Sequence, residues 1–393
     1  MRILFLSRWF PYPLNNGSKV RIYNLLRGLA QRHELTLLSF TEPNDGVPNM
    51  AELHSFCQVV QTTPWKPFDP QSRRGRLGFF SVTPRSAVDT FSPQMKQTIE
   101  QTLSAQQYDL VIASQEAMAS YSDAFQGRPA LFEEVELGVF YEQFKQAKSI
   151  QARLRYGLTW LKYRHYLGRL LRRFHACTVV SEREKQMLAS VAPNDADIRV
   201  IPNCIRLADY QVQVEPQPNT LIFTGPFHYH ANYDAMQWFL SEVYPRVQAQ
   251  MPEIRLTITG DHANRPLPPA SNLTLTGFVD DVRPLIAQAW ISLAPLRIGG
   301  GTRVKILEAM ALGTPVVATS KGAEGLDVRP GEQLLIADTP EAFAQSIIRL
   351  CQEPGLRQKL TNQAYQVAAA QYDWAATMPR FLDLVEQVGQ GKN

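Results

Sequence analysis

One stretch constrains the fold more than any other, Ala294 to Ser320, with the sequence APLRIGGGTRVKILEAMALGTPVVATS. An apolar run leads into three glycines, then into residues with helical periodicity, and then past a proline into Val316-Val317-Ala318. The pattern predicts a strand, a glycine loop, a helix that begins at Thr302, and a second strand. Such a unit is typical of parallel α/β sheets.

The glycines Gly299, Gly300 and Gly301 stand immediately before the predicted helix. A backbone without Cβ atoms approaches an anion closely, and the N–H groups and dipole at a helix N-terminus favour negative charge. Arg303 and Lys305 add full positive charges to the first turn, where a purely structural helix favours Asp or Glu. The segment therefore predicts a phosphate or diphosphate site.

Glu308 interrupts the apolar series of the same helix and lies three residues after Lys305, on the same face. A carboxylate one to two turns behind a diphosphate is placed to accept hydrogen bonds from a ribose diol. A second interpretation stays open, in which Glu308 pairs with Lys305 and the glycines form a tight turn.

The segment GGGTRVKILEAMALGTPVVAT resembles the donor-site signature of the GT-B glycosyltransferases, in particular the retaining family 4. The resemblance covers most of the chain and implies two doubly wound, Rossmann-like parallel-sheet domains facing a cleft. It also implies a UDP- or GDP-linked sugar as co-substrate, retention of configuration and no metal. The family usually has two glutamates eight positions apart. The second matches Glu308, but the first falls on Gly300, which leaves the identity of the transferred sugar open.

The first half of the chain begins with the same alternation. Arg2–Ser7 has the continuous apolar pattern of a buried parallel strand, and a turn-rich loop and a helix with Lys19 and Arg21 on its polar side follow. Ligands of such sheets bind at the carboxyl ends of strands. The resemblance implies donor contacts at Gly17, and further candidates at Lys19 and Arg21. An ordinary strand–helix connection is the alternative.

A predicted strand at 129–135 runs into Glu133, Glu134 and Glu136. In the family this strand ends beside the sugar and the acceptor. The resemblance therefore implies that one of the three glutamates orients the acceptor hydroxyl or acts as its base. A solvated acidic loop is the alternative, and the sequence does not say which carboxylate points inward.

Residues 145–174 contain nine Lys and Arg residues and no acidic residue, with Leu, Trp and Tyr as the apolar side. This composition is typical of a helix on an anionic membrane surface and fits a lipid-linked or polysaccharide-precursor acceptor. The alternative is a helix packed on the sheet with a solvated basic face. Nucleic acid is not indicated, since no recognised module accompanies the charge. Residues 41–95 are predicted to be irregular.

The second half starts with a predicted strand at 220–224 that ends at Gly225. In the loop that follows, the slots for the family's diphosphate-binding Arg and Lys hold His228, His230 and Asn232. We favour donor contacts over a metal for these histidines, because no third ligand lies nearby in sequence. The resemblance also assigns the lining of the base pocket to Gly277, Phe278 and Val279.

The length of 393 residues suits two domains with separate cores. We expect an acceptor-side domain at 1–207, a linker at 208–219, a donor domain at 220–373, and a last helix, 374–393, that packs back on the first domain. The apolar runs are too short for a membrane span or a signal peptide. Four scattered cysteines indicate a reducing compartment. We therefore expect a cytoplasmic protein that contacts the inner face of the cell membrane.

Two other functions remain open on the same fold. A sugar-nucleotide epimerase would need its own acid/base pair and no acceptor. A catalytically weak homologue would bind a nucleotide-sugar within an envelope assembly, which the Gly300 substitution allows. An NAD-linked oxidoreductase is disfavoured because no GxGxxG follows the first strand.

Overall fold

The computed structural model describes residues 1–42, 48–145, 147, 149–301 and 303–391. The chain forms two compact units, residues 1–202 with 378–393 and residues 203–377. Each unit is a parallel sheet flanked by helices. The predicted fold class, with two doubly wound Rossmann-like domains, is confirmed.

The sheet of the first unit has seven parallel strands, and apolar residues such as Ile3 and Leu4 are fully buried in it. The strands are β1 (Arg2–Ser7), β2 (Glu34–Thr41), β3 (Val59–Pro64), β4 (Leu110–Ser114), β5 (Ala130–Glu133), β6 (Ala176–Val179) and β7 (Asp197–Val200). Their order is β3-β2-β1-β4-β5-β6-β7, so the direction of winding reverses between β1 and β4. Such a reversal is the switch point at which α/β sheets bind ligands.

The helices of this unit begin with one whose N-cap, Asn16, accepts a hydrogen bond from the Lys19 N–H at 2.9 Å. A short 3-10 helix spans Ser122–Phe125. The α-helices are α1 (Gly17–Leu29), α2 (Met50–His54), α3 (Arg73–Leu77), α4 (Arg85–Thr90), α5 (Pro93–Ala105), α6 (Gln115–Ala119), α7 (Gly138–Lys145), α8 (Ile150–Leu171) and α9 (Glu182–Ala189).

The second unit has a six-stranded parallel sheet. Its strands are β8 (Gln217–Thr224), β9 (Arg255–Thr259), β10 (Leu273–Gly277), β11 (Ala289–Ala294), β12 (Val316–Ala318) and β13 (Leu335–Ile336). The order β10-β9-β8-β11-β12-β13 places the switch point between β8 and β11. Helices α10 (His230–Trp238), α11 (Tyr244–Gln250), α12 (Arg283–Gln288), α13 (Val304–Ala311), α14 (Pro340–Gln352) and α15 (Pro354–Gln371) flank this sheet, with a 3-10 helix at Leu207–Tyr210 and a π-helical turn at Phe239–Val243.

The last helix, α16 (Trp374–Gly389), begins in the second unit and belongs to the first unit from Met378 onward. A Cβ atom placed on Gly28 of α1 would lie only 2.2 Å from the Met378 sulfur, so the two helices are in direct contact there. Further along, Arg32 and Glu386 form an ion pair at 3.3 Å. This late segment is therefore an integral part of the first unit.

Two predictions about the elements are wrong. Residues 41–95 contain β3 and three short helices, although the segment was predicted to be irregular. As an edge strand, β3 leaves most of its side chains partly or fully exposed, which explains its polar sequence VVQTTP. Residues 217–219 of the predicted linker are the beginning of β8.

Candidate functional site

The glycine loop lies at the switch point of the second unit, after β11 and beside the loop that follows β8. Tyr229, in that neighbouring loop, donates a hydrogen bond to the Gly300 carbonyl at 3.2 Å. Gly299 has a φ of +91°, and a Cβ atom there would lie 2.4 Å from the Tyr229 hydroxyl. Only glycine therefore fits this position without displacing the tyrosine.

Arg303 stabilises the glycine loop from beneath. Helix α13 begins at Val304 with Arg303 as its N-cap, whereas the predicted start, Thr302, lies outside the described residues. The Arg303 side chain is buried and donates hydrogen bonds of 3.0 Å to the carbonyls of Gly299, Gly300 and Lys321. These contacts position the loop, and a diphosphate contact by Arg303 stays a prediction.

Lys305 is a partly buried cation among neutral groups. Its ammonium donates to Asn232 Oδ1 at 3.0 Å and lies 3.9 Å from the centre of the Phe223 ring. Burial lowers the pKa of Lys305 to about 7, the charge of Arg303 acts in the same direction, and the Glu308 carboxylate opposes them. Across the described part of the chain, Lys305 forms no ion pair within 4.0 Å. An anionic ligand would supply the missing counter-charge.

The partner of Glu308 is Tyr210, and not Lys305 as in the alternative interpretation of the sequence. Its Oε1 accepts a hydrogen bond from the Tyr210 hydroxyl at 3.2 Å, and burial raises the pKa of its carboxyl group. The ammonium of Lys305 is directed at Asn232 instead. The two side chains thus share a helix without forming an ion pair. A carboxyl group that is held in place by a tyrosine is suited to accept hydrogen bonds from the hydroxyl groups of a ligand.

The remaining donor-site candidates divide into two groups. Gly225 and the exposed Gly301 belong to the loops around the β8–β11 switch point, and the exposed His230 and the buried Asn232 lie in the first turn of α10 beside them. His228 pairs with Asp261, with 2.5 Å between Nε2 and Oδ2. Gly277, Phe278 and Val279 lie at the end of the edge strand β10, two strands from β8, and Phe278 is 77% exposed. The described residues include no group of three or more His, Cys, Asp or Glu placed to hold a metal.

The first unit buries an ion pair close to its own switch point. Arg21 Nε lies 2.6 Å from Glu133 Oε1, and Ser114 donates to Glu133 Oε2 at 2.6 Å. Arg21 also donates to the Pro202 carbonyl at 3.1 Å. Lys19 and Arg21 are each only 1% exposed, so their assignment to the polar side of α1 is wrong. The carboxylate at the end of β5 supplies the charge that makes burial of Arg21 possible.

Glu134 and Gln115 form a strained pair at the carboxyl edge of this sheet. Both have left-handed backbones, with φ of +56° and +67°, which is uncommon outside glycine and concentrates at functional sites. Gln115 Nε2 donates to Glu134 Oε2 at 2.8 Å and to the Ser18 hydroxyl at 3.2 Å. Because Ser18 follows β1 and Gln115 follows β4, the second of these bonds crosses the switch point.

The three candidate carboxylates therefore differ in their surroundings. Both oxygens of Glu133 are occupied by Arg21 and Ser114, and Glu136 is exposed. Burial raises the pKa of Glu134 to about 8, and the neighbouring Glu133 carboxylate also raises it. Desolvation of its carboxyl group raises the pKa of Glu136 as well, but Glu134 combines a raised pKa with a buried position and a hydrogen bond from Gln115. Gly17 is exposed at the start of α1.

Several polar residues of these sites were missed from the sequence: Ser18, Gln115, Tyr210 and Tyr229. A signal existed for Gln115, because it follows the apolar strand YDLVIAS directly and so lies at the carboxyl edge of the sheet. Tyr210 lies 98 residues before Glu308 in the chain. No local pattern indicates that contact.

Comparison with known families covers most of the chain. Residues 15–209 match "Glycosyltransferase Family 4", and residues 218–353 match "Glycosyl transferases group 1". The chain is a glycosyltransferase with a family 4 domain followed by a group 1 domain. This membership confirms the family resemblance that the glycine loop and its helix carry in the sequence.

Among curated relatives, the chain is 28% identical over 164 residues to an uncharacterized 44.6 kDa protein in the cps region of Klebsiella pneumoniae. It is also 28% identical over 212 residues to the phosphatidyl-myo-inositol mannosyltransferase of Mycobacterium tuberculosis. These matches cover 39% and 50% of this chain and 42% and 53% of the relatives. The chain thus spans about half the length of the curated relatives it matches.

Two solved structures share the fold along almost the whole chain. Sucrose-phosphate synthase from Thermosynechococcus elongatus superposes with a TM-score of 0.68 at 18% identity, covering 100% of both chains. HepE from Anabaena, in complex with UDP, superposes with a TM-score of 0.67 at 16% identity, covering 98% of this chain and 100% of that chain. At these identities the likeness establishes the fold shared with other glycosyl transferases.

Proposed function

We propose that this protein transfers a sugar from a UDP- or GDP-linked donor to a hydroxyl acceptor. The bond between the anomeric carbon and the diphosphate breaks, and a bond from the same carbon to the acceptor oxygen forms on the same face of the sugar. The hydroxyl proton is released with the nucleoside diphosphate. The reaction proceeds with retention and without a metal.

The observation that carries the proposal is Lys305, beside the glycine loop, whose direct contacts are neutral groups. Its direct contacts are an amide and an aromatic face, and Glu308 acts on its charge only from beyond ion-pair distance. An anionic ligand would therefore be its first direct contact with negative charge. The N-terminus of α13 adds N–H groups and the positive end of a helix dipole. Together they stabilise the charge that develops on the leaving diphosphate. Glu308, held by Tyr210, accepts hydrogen bonds from the ribose.

On the acceptor side, Glu134 is the residue that we assign to the hydroxyl group. Its carboxyl oxygen is already oriented by Gln115, and its raised pKa keeps it largely protonated near pH 7. A neutral carboxyl group at this position both donates and accepts hydrogen bonds, as an alcohol does. It therefore fixes the direction of the acceptor oxygen before the new bond forms.

We further propose a lipid-linked or polysaccharide-precursor acceptor, reached by peripheral contact of the segment 145–174 with the inner face of the cell membrane. The basic character of this segment supports the contact. The name of the mycobacterial relative, a mannosyltransferase of phosphatidyl-myo-inositol, also supports a lipid acceptor. None of the helices in the described part of the chain has the length and apolar character of a membrane crossing.

Calorimetric titration with UDP and GDP, in the presence of EDTA, tests the donor site. We expect one nucleotide to bind, and Lys305→Met to weaken it by about 100-fold through loss of a charge-assisted contact. Glu308→Gln should weaken it about tenfold. The matched control is Lys359→Met, which removes an exposed lysine from α15 and should leave the affinity unchanged.

Equal binding by the wild type and Lys305→Met would contradict this donor site, and a requirement for Mg²⁺ would contradict metal-free transfer. Products identify the reaction class. A new free sugar nucleotide without acceptor would indicate the epimerase. Tight binding without turnover on lipid-linked and soluble acceptors would indicate a binding homologue. Transfer with retained configuration, detected by NMR of the glycoside, would support the proposal.

A further inference from the structure

Helix α8 presents one continuous exposed stripe. Ile150, Leu154, Leu158, Leu161, His165 and Arg169 are all exposed and are spaced at intervals of 4, 4, 3, 4 and 4 residues. With 3.6 residues per turn, this spacing keeps them on one face. The opposite side carries the buried Tyr163, Leu167, Leu170 and Leu171. The stripe is therefore aliphatic at its N-terminal end and cationic at its C-terminal end.

A second exposed apolar segment lies against the same helix. Lys162 donates to the Phe79 carbonyl at 2.6 Å and so holds the 77–82 segment beside α8. Within that segment, Phe80 is 93% exposed. Of the sixteen large apolar side chains exposed in the described part of the chain, eight lie in the two stretches 77–82 and 150–161. Such a concentration marks an interaction surface.

The cationic end of the stripe opens into a cavity of about 270 Å³. Three arginines line it, Arg74, Arg169 and Arg173, against a single acidic residue, Asp123. Asp123 is paired with Arg173 at 2.6 Å, so the lining has an excess of positive charge. Arg169 belongs both to the cavity and to the stripe. Neutral hydrogen-bonding groups complete the lining: Thr83, Ser120 and Tyr166.

We propose that this face docks on an anionic membrane, with the phosphate of one phospholipid held in the arginine cavity. The aliphatic end of the stripe, from Ile150 to Leu161, and the 77–82 segment then lie among the acyl chains, and Arg169 lies at the level of the headgroups. This cavity, called here the headgroup cavity, would fix the orientation of the protein on the membrane. The inference rests on the peripheral membrane contact of segment 145–174 in the proposed function. Arginine pairs with phosphate through two parallel hydrogen bonds, whereas a diffuse basic surface has no such geometry.

Charge argues against a second copy of the chain as the occupant. The segment 145–174 has nine basic and no acidic residues, so two such faces would repel one another. Exposed aliphatic groups next to arginines instead match a lipid bilayer with anionic headgroups, whose interior is apolar and whose surface is negatively charged.

Vesicle co-sedimentation of the full chain tests the inference. Vesicles of phosphatidylcholine alone are compared with vesicles that also contain phosphatidylglycerol. We expect binding to the anionic vesicles, a loss of tenfold or more in Leu154→Ser/Leu161→Ser, and a loss of about fivefold in Arg169→Gln. The control Arg172→Gln removes an exposed arginine of the same helix end that does not line the cavity, and should change binding less than twofold.

Equal losses in Arg169→Gln and Arg172→Gln would overturn the headgroup cavity in favour of diffuse attraction. Equal binding to both vesicle types would overturn the anionic requirement. If calorimetry shows that glycerol phosphate binds in the cavity lined by Arg74, Arg169 and Arg173, but the protein does not prefer anionic vesicles, the ligand of the cavity is a soluble anion and not a lipid. If the wild type is a dimer in solution and the double variant Leu154→Ser/Leu161→Ser is a monomer, the face binds a second copy of this chain and not a membrane. Titration of the same variants with UDP and GDP keeps failure here separate from failure of the donor site, because these residues lie outside it.

Discussion

The switch points of the two units are built with opposite distributions of charge. In the first unit, Arg21 and Glu133 neutralise each other inside the protein at 2.6 Å, and Gln115 binds Glu134. In the second unit, Lys305 is surrounded by an amide and an aromatic ring. The Arg21–Glu133 charges are paired directly within the protein, whereas the direct contacts of Lys305 are neutral and Glu308 acts on it only from beyond ion-pair distance.

This difference indicates what each site receives. A site with internally paired charges is complete without a ligand and suits a neutral group such as an alcohol. A site with an uncompensated cation gains the most from an anion. The same sheet topology thus serves a hydroxyl acceptor in one unit and a diphosphate in the other, through the side chains placed at the carboxyl ends of the strands.

The largest effect on stability should come from breaking the buried Arg21–Glu133 ion pair of the first unit. Arg21→Met leaves Glu133 buried without its cation, and we expect the first unit to lose about 3–5 kcal/mol of unfolding free energy. Urea denaturation measures the loss. The exposed neighbour Arg27→Met should change stability by less than about 0.5 kcal/mol. The double variant Arg21→Met/Glu133→Met should recover most of the loss, and a failure to recover would mean that the pair is not the cause.

The next effect concerns the glycine loop. Gly299→Ala places a Cβ atom 2.4 Å from the Tyr229 hydroxyl, at a φ of +91°. We expect a loss of about 2–3 kcal/mol in the second unit and weaker nucleotide binding. Gly355→Ala, on α15 with open space around it, serves as the control for the same substitution. If Gly299→Ala unfolds like wild type in urea, the loop is not held as described.

Glu134 should show a trade between stability and activity. Its folded-state pKa of about 8 lies above the ordinary value of 4.5, so ionisation costs the folded state stability as pH rises from 4.5 through 8. Glu134→Gln does not titrate and should be more stable than wild type at pH 8, with similar stability below pH 4.5. Sugar transfer should fall about 100-fold. A variant less stable than wild type at pH 8 would refute the raised pKa.

The smallest expected effect separates charge from shape at Lys305. Because a diphosphate pairs with the protonated amine and the pKa is about 7, affinity should be complete below pH 7 and decline above it. Between pH 7 and 8 the protonated fraction falls about fivefold, and nucleotide affinity should fall likewise. Lys305→Arg remains charged and should show no such decline. Its pH profile also serves as the control for ionisation of the nucleotide, because that ionisation affects both proteins equally. Parallel pH profiles would contradict this role.

The sequence predicts the parts of this protein whose cause is local. β1 was located from its continuous apolar run, and the glycine loop with Lys305 and Glu308 was located because these residues are adjacent in the chain. The Arg21–Glu133 pair spans 112 residues, and the burial of both charges is decided by tertiary packing alone. The left-handed backbone of Gln115 has no local signature, since neither its residue type nor its neighbours require it.

The discontinuity of the first unit has a consequence for the order in which the protein is made. Residues 203–377 separate Pro202 from Met378, so every residue of the second unit is synthesised before the residues that complete the first unit. At about 5–20 residues per second, those 175 residues take roughly 10–35 s to synthesise. During that interval Gly28 lacks the Met378 side chain that covers it. The first unit can therefore acquire its final structure only after the whole second unit has been synthesised, although its own sequence begins first.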